Sequence, residues 1–407
     1  ILEQADETDA MFGELYSWYL RNPEYRSRVQ KLVQSAFAGK PEDIISQSVA
    51  KALYGEVSPY SATRLERFAA CAFAHFLQYG MKLTERVEYE FKPMDMGNVM
   101  HEALESFAEE VRKRGMKWTE LTEQERNEIA DRCLDNIVAD YGNTVLKSSA
   151  RNEYMIERTR RILRRTVWAL QKQLEQGEFQ PEGFEVTFGG GRIDRVDIME
   201  DQNKVYVKVI DYKTGNTSFD LVYLYHGLQL QLMIYLDGAL RVEQKKYPDK
   251  EIIPAGVFYY NIKDPMIQEK IDADVEAVSA GLMKELKMNG LVQADPELVY
   301  RMDSSLGSIP VAFNKDGSFR KNSSVADRTQ FAVLGRYVRT KIEKIRSSIL
   351  EGDAEVSPYE LGKKNACTYC PYMTVCGFDR RLSGYEFRRL KNFSDEELWK
   401  AFDREAE

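Results

Sequence analysis

Three of the five cysteines crowd into one short segment, Cys367, Cys370 and Cys376 in the pattern C-x-x-C-x5-C, and Cys71 stands almost 300 residues upstream. Thiolates bunched in this way are ligands for a soft metal centre. A partner so distant in sequence means that the centre pins the two ends of one domain together. Disulfides are the rival reading, and they lose ground on two counts. The chain has no signal-peptide pattern, and five cysteines in 407 residues is ordinary for a reducing compartment. At this level zinc and an iron-sulfur cluster both remain open. Cys133, inside the helical stretch DRCLDNIVADY, reads as a small buried hydrophobe.

The length suits one large domain with appendages, or two domains, and 43% apolar residues is enough for a full core. No segment approaches the roughly 18 uninterrupted apolar residues of a membrane span, so no membrane role and a cytoplasmic location are expected. A formal net charge of −8 argues against a nucleic-acid partner unless a local basic surface overrides it.

Residues 1–57 read as two or three helices joined by polar turns, and the uncapped start, ILEQADETD, looks like the cut end of something longer. From Tyr60 onward SATRLERFAACAFAHFLQYG reads as one helix with Ser61 as N-cap, carrying Cys71. A helix near Asp95 to Arg114 follows, with Met100, Leu104, Phe107 and Val111 at helical spacing and His101 among them. A long helical region then runs to Gly177. Its arginines, Arg158, Arg160, Arg161, Arg164 and Arg165, read either as a solvated face or as a phosphate-contacting patch. Next the period drops to two. GFEVTFGG, GRIDRVDIME and NKVYVKVIDYKTG read as strands, LYHGLQLQLMIYLDGALR as a helix and AGVFYYNIK as a further strand. The remainder is expected to be mainly helical up to the cysteine cluster, with a charged helical tail at 381–407.

Alternation places Val205, Val207, Val209, Asp211 and Lys213 on one face, so an acid and a base end an apolar stripe. On the preceding strand Asp194 shares its face with Val196 and Ile198, while Asp197 points the other way. A carboxylate on an apolar face is costly unless it is paired or holds a cation. Two of them on neighbouring strands, with a lysine two residues beyond the second, suit Mg²⁺ or Mn²⁺. The simpler alternative is a strand-end salt bridge between Asp211 and Lys213. Gln231 and Tyr235 are i, i+4 neighbours on one helix face, either packed there or facing a substrate.

The ordered set of a helical His, I-D on a strand, D-Y-K-T-G on the next and Q-x-x-x-Y on the following helix resembles the RecB-family nucleases of the PD-(D/E)xK superfamily. The enclosing C…C-x-x-C-x5-C resembles the iron-sulfur staple of a subset of them. The resemblance covers roughly residues 58–380 and rests on RLERFAACAFAHF, GRIDRVD, KVIDYKTG, LQLQLMIYL and CTYCPYMTVC.

The resemblance implies an α/β fold, a restriction-endonuclease-like core with a small mixed sheet flanked by helices and stapled by an iron-sulfur cluster. It implies metal ligands at His101, Asp194 and Asp211 with the backbone carbonyl of Tyr212, Lys213 as the catalytic lysine, and Gln231 and Tyr235 as accessory positions near DNA. Cys71, Cys367, Cys370 and Cys376 match the four ligands of a [4Fe-4S] cluster. The implied activity is Mg²⁺-dependent (or Mn²⁺-dependent) exonucleolytic cutting of single-stranded DNA, the 5′-ended strand, within a helicase-nuclease acting at duplex ends in double-strand-break repair and recombination. The implied partner is an AddA-type helicase-nuclease subunit in a heterodimer, with residues 1–57 as the tail of a helicase-like region. One departure stands out: FEVTF runs through Gly189 to Gly191 straight into GRIDRVD, where a longer hairpin excursion is expected. Two rivals are a free-standing RecB-type exonuclease, disfavoured by the truncated-looking start, and a non-enzymatic DNA-end-binding module, disfavoured by the full set of Asp194, Asp211 and Lys213.

Overall fold

The computed structural model describes residues 9–36, 44–55, 61–84, 93–140, 149–189, 191–268, 274–382 and 384–406. Helices α1 (Asp9–Arg21) and α2 (Pro23–Ala36) form a pair, and α3 (Gln47–Tyr54) follows. Next come α4 (Ala62–Ala70) and the single turn α5 (Ala72–His75), then α6 (Pro93–Lys113), α7 (Glu123–Asp140) and α8 (Ala150–Glu175). The central sheet is built from β1 (Gln180–Phe188), β2 (Gly191–Asp201), β3 (Lys204–Lys213), β4 (Glu251–Asn261), β5 (Asn289–Gln293) and β6 (Val325–Ala326), in that spatial order. The meander β1–β2–β3 is antiparallel, and β4 joins β3 in parallel after a crossover through α9 (Leu221–Tyr225) and α10 (Gln231–Lys246). Helices α11 (Val275–Glu285), α12 (Pro296–Met302) and α13 (Arg328–Glu351) complete the body. A small sheet of β7 (Tyr359–Leu361), β8 (Lys364–Asn365) and β9 (Arg388–Arg389) surrounds α14 (Met373–Cys376), and α15 (Asp395–Ala406) ends the chain.

The period-2 pattern of β3 explains the layering. Val205, Val207 and Val209 enter the core shared with α10, α13 and α15, while Tyr206, Ile210 and Tyr212 enter the core shared with α6, α7 and α8. Both faces of β3 are therefore covered by helices, as a parallel crossover requires. On β2 the same parity sends Asp197 to the second core, where Arg195 and Lys208 pair with its two oxygens at 2.5 and 2.9 Å. This buried trio is structural, and Arg195 lies over the rings of Trp118 and Phe184.

The structure corrects several expected elements. The helix expected over 61–80 breaks at Cys71, whose backbone is extended (φ −165°, ψ 117°), because Phe73 N–H bonds across to Glu355 instead of continuing the helix. Ser61 caps α4 through Arg64 N as expected. The helix expected over 224–241 breaks where Gly227 takes a φ of +78°. The C-terminal third holds β5, β6 and the small sheet, none foreseen, because runs of two to five residues are too short to show a period. The charged tail turns its apolar side inward: Leu398, Ala401 and Phe402 of α15 are buried in the core with α13. Of the arginines on α8, Arg160 pairs with Asp131, Asp135 and Glu157, Arg164 with Asp131 and Arg161 with Asp264. These three arginines are ion-paired to carboxylates of the protein. Among the described residues no helix is long and apolar enough to cross a membrane.

Candidate active site

The antiparallel register of β2 and β3 pairs Arg195 with Ile210, and one step further along it brings Asp194 opposite Asp211. Asp194 and Asp211 are 9% and 1% exposed, so both carboxylates sit at the buried end of the sheet. Asp194 Oδ2 accepts the amide of Tyr212 at 2.7 Å. Lys213 closes the group, its Nζ lying 2.5 Å from Asp211 Oδ2 and donating to Gln231 Oε1 at 2.9 Å. Gln231 Nε2 in turn donates to the Tyr235 hydroxyl at 2.9 Å. From α6, His101 Nδ1 reaches Asp194 Oδ2 at 3.4 Å. Thus His101, Asp194, Asp211, Lys213, Gln231 and Tyr235 meet at one sheet end; of Tyr212, the amide is used by Asp194.

Electrostatics sets the character of this cluster. Burial, reinforced by the neighbouring Asp194 charge, pushes the Asp211 carboxyl up to about 7 despite Lys213. For His101 burial opposes the charged form, but the carboxylates of Asp194 and Glu185 prevail and raise it to about 10. Lys213 Nζ is the charged neighbour of Asp211 Oδ2, and it only partly offsets the burial of that carboxylate. Carboxylate oxygens of Asp194 and Asp211 with the imidazole of His101 form a donor set that fits a hard divalent cation.

Glu185 is the residue that sequence reasoning missed. Phe184 packs on one core and Val186 on the other, so alternation along β1 slips between them. Glu185 sits between them with a φ of +49°, inside a register that runs unbroken from Phe184↔Arg195 to Val186↔Ile193; the shift in this strand pair lies earlier, between Pro181 and Gly183. Its carboxylate ends 3.8 Å from His101 and also pairs with Arg192. His101, Glu185 and Asp194 offer ligand atoms within 4.8 Å of one another. The only sequence signal was an acid inside the strand FEVTF. Gly189 is a turn residue of the β1–β2 hairpin, and Gly190, part of the shortened junction, lies outside the described residues.

A second cluster lies beyond α4. Cys71, Cys367, Cys370 and Cys376 line one small cavity with Phe73, Tyr372 and Phe378. Burial and the other three thiols push the Cys367 thiol up to about 12, so the group resists ionising without a cation. Amide groups of Ala74, Ser357 and Phe73 favour the thiolate of Cys71, although burial raises it overall. Among the described residues no three of these sulfurs lie within 4.8 Å of one another. Cys133 is buried in a helical core apart from them, against Leu134 and Ile137.

Comparison with known proteins adds the family. Residues 59–377 match the model of the PD-(D/E)XK nuclease superfamily. Curated relatives named as the B-type subunit of an ATP-dependent helicase/deoxyribonuclease include those of Lachnoclostridium phytofermentans, 41% identical, and Thermoanaerobacter sp. (strain X514), 34% identical, each over 98% of this chain. That of Clostridium acetobutylicum is 33% identical over 98% of this chain. The chain spans 36%, 37% and 36% of these relatives, little more than a third of their length.

Proposed function

The chain belongs to the PD-(D/E)XK nuclease superfamily, and on that premise we propose that it hydrolyses DNA phosphodiesters with a divalent cation, Mg²⁺ or Mn²⁺, as the nuclease domain of an AddB-type protein. The observation that carries this reading is the pair of buried carboxylates, Asp194 and Asp211, at one sheet end with an ammonium 2.5 Å from the second. In this reading His101, Asp194, Asp211 and the backbone carbonyl of Tyr212 hold the cation. When bound, the cation polarises the phosphate and makes a water nucleophilic near neutral pH. Lys213 stabilises negative charge that builds on the phosphoryl oxygens. Gln231 holds that ammonium in place and Tyr235 holds Gln231. The substrate is a single strand, the 5′-ended one, delivered at a duplex end by an AddA-type helicase-nuclease partner during break repair and recombination. The relatives' name makes each of them one subunit of an ATP-dependent helicase/deoxyribonuclease, which supports a partner chain here.

The four cysteines are assigned a structural [4Fe-4S] cluster in preference to zinc. The pattern C…C-x-x-C-x5-C, three ligands in one short segment and the fourth at Cys71, is what supports that assignment.

Two predictions test the metal site. Lys213→Ala is expected to bind Mg²⁺ with near-normal affinity in calorimetry yet cut single-stranded DNA slower by a factor on the order of 10²; a collapse of affinity alongside the rate would make the lysine's role structural. Cation binding also has to displace the proton that His101 holds below about 10 and, at lower pH, the one on Asp211. Affinity for Mg²⁺ should therefore rise with pH through 7, and at pH 7.5 binding should release about one proton per cation. Titrations in buffers of different ionisation enthalpy read that number, and zero release would count against His101 as a ligand.

A further inference from the structure

The helix that leads to Cys71 also carries a carboxylate that the reaction above does not use. Glu66 lies on α4, and its Oε1 accepts the amides of Leu230 at 2.7 Å and Gln231 at 3.0 Å, from positions 164 and 165 residues away. These amides open α10, whose N-cap residue, Leu230, makes no side-chain cap. A helix start leaves its first amides without intrahelical acceptors and carries partial positive charge, so the half-buried Glu66 carboxylate is a fitting cap.

The path continues inward through side chains. Gln231 Oε1 accepts from Lys213 Nζ at 2.9 Å, and that ammonium lies 2.5 Å from Asp211. Outward, α4 ends at Cys71, which serves as its C-cap residue. Packing enforces the same linkage, since Leu65 and Phe68 of α4 share one core with Leu230 and Leu232 at the start of α10. Close-packed neighbours of this kind do not move independently.

We propose that Glu66 is a positioning residue that fixes the first turn of α10 and, through Gln231, the ammonium of Lys213, so that displacement of the cysteine-bearing helix is transmitted to the catalytic lysine. The inference rests on the role given to Lys213 above. Burial holds the Glu66 carboxyl at about 7 against the pull of both amides and of Lys213. A neutral glutamine of the same length therefore keeps the acceptor at little electrostatic cost.

The test uses the full chain, with iron and sulfide measured for every variant. Hydrogen exchange of peptides spanning residues 228–236 reads the capped turn without reference to activity. Glu66→Ala should raise exchange there about tenfold and lower kcat on single-stranded DNA about tenfold with KM and Mg²⁺ affinity unchanged. Glu66→Gln should restore both, a rescue that loss of general stability does not give. Unchanged exchange in folded Glu66→Ala overturns the cap, and raised exchange with full kcat overturns the link to Lys213. If Glu66→Ala does not fold, Gln231→Ala cuts the same path from the other side; it should lower kcat while exchange at α10 stays protected, and an undiminished kcat overturns the proposal. A wild-type chain without Mg²⁺-dependent cleavage would instead remove the nuclease reading, with the exchange comparison still deciding the cap.

Discussion

Asp211→Asn is expected to lose Mg²⁺-dependent cleavage entirely and yet to melt, free of metal at pH 8, at a temperature equal to or a few degrees above the wild type. Loss of the reaction follows from removing one of the two buried carboxylates proposed to hold the cation. The stability gain follows from linkage. The folded-state carboxyl titrates at about 7, above its ordinary value of 3.8. The folded chain therefore retains a proton that the unfolded chain releases, and this stabilisation is full below 3.8 and lost as pH rises through 7. At pH 8 the wild type carries a buried, incompletely paired charge that the amide lacks, a difference on the order of a few kcal/mol. The advantage of Asp211→Asn should shrink as pH falls from 7 towards 4. Thermal melts in EDTA across that range check it, and a variant that melts lower at pH 8 than at pH 5 relative to wild type would contradict the assigned environment of Asp211.

Loss of any one cluster thiol should have the other large effect. Cys71 and Cys367 are separated by nearly 300 residues, and closing a loop of that length removes unfolded-state entropy worth about 5 kcal/mol in the chain-entropy picture. Direct contacts recover only part of it: Tyr372 donates to the Leu83 carbonyl at 3.1 Å, Phe73 N–H to Glu355 at 3.0 Å, and Arg388 to the Ala69 carbonyl. Replacing Cys71, Cys367, Cys370 or Cys376 with Ala should together cost brown colour, roughly 6 °C of melting temperature and DNA binding. Cys133→Ala should cost only a small packing defect. Iron and sulfide analysis of anaerobically purified protein decides the centre: about four of each per chain supports [4Fe-4S], and one zinc without sulfide would overturn it.

What the chain disclosed in advance divides along physical lines. The stripe Val205, Val207, Val209, Asp211 and Lys213 was legible because a strand's parity is local, and the structure does send those valines to one core. The meeting of His101 with Asp194 was legible only through the order of motifs, since no local rule brings α6 to the end of β2. Glu185 was hidden because its direction depends on a positive φ between Phe184, on one core, and Val186, on the other, which no period along the strand announces. Glu66 was hidden for a different reason. A glutamate on an amphipathic helix normally faces solvent, and its use here depends on a contact across 164 residues. The break at Cys71 likewise follows from a tertiary bond, Phe73 to Glu355, that competes with helix propensity.

The central claim, that the Asp194–Asp211–Lys213 end of the sheet cuts DNA with a divalent cation, is tested most directly on the purified chain with single-stranded DNA labelled at one end or the other. The account predicts progressive release of short labelled products in Mg²⁺ or Mn²⁺, none in EDTA, and none from Asp211→Asn in either condition. Metal-independent cleavage, or wild-type cleavage by Asp211→Asn, would contradict it.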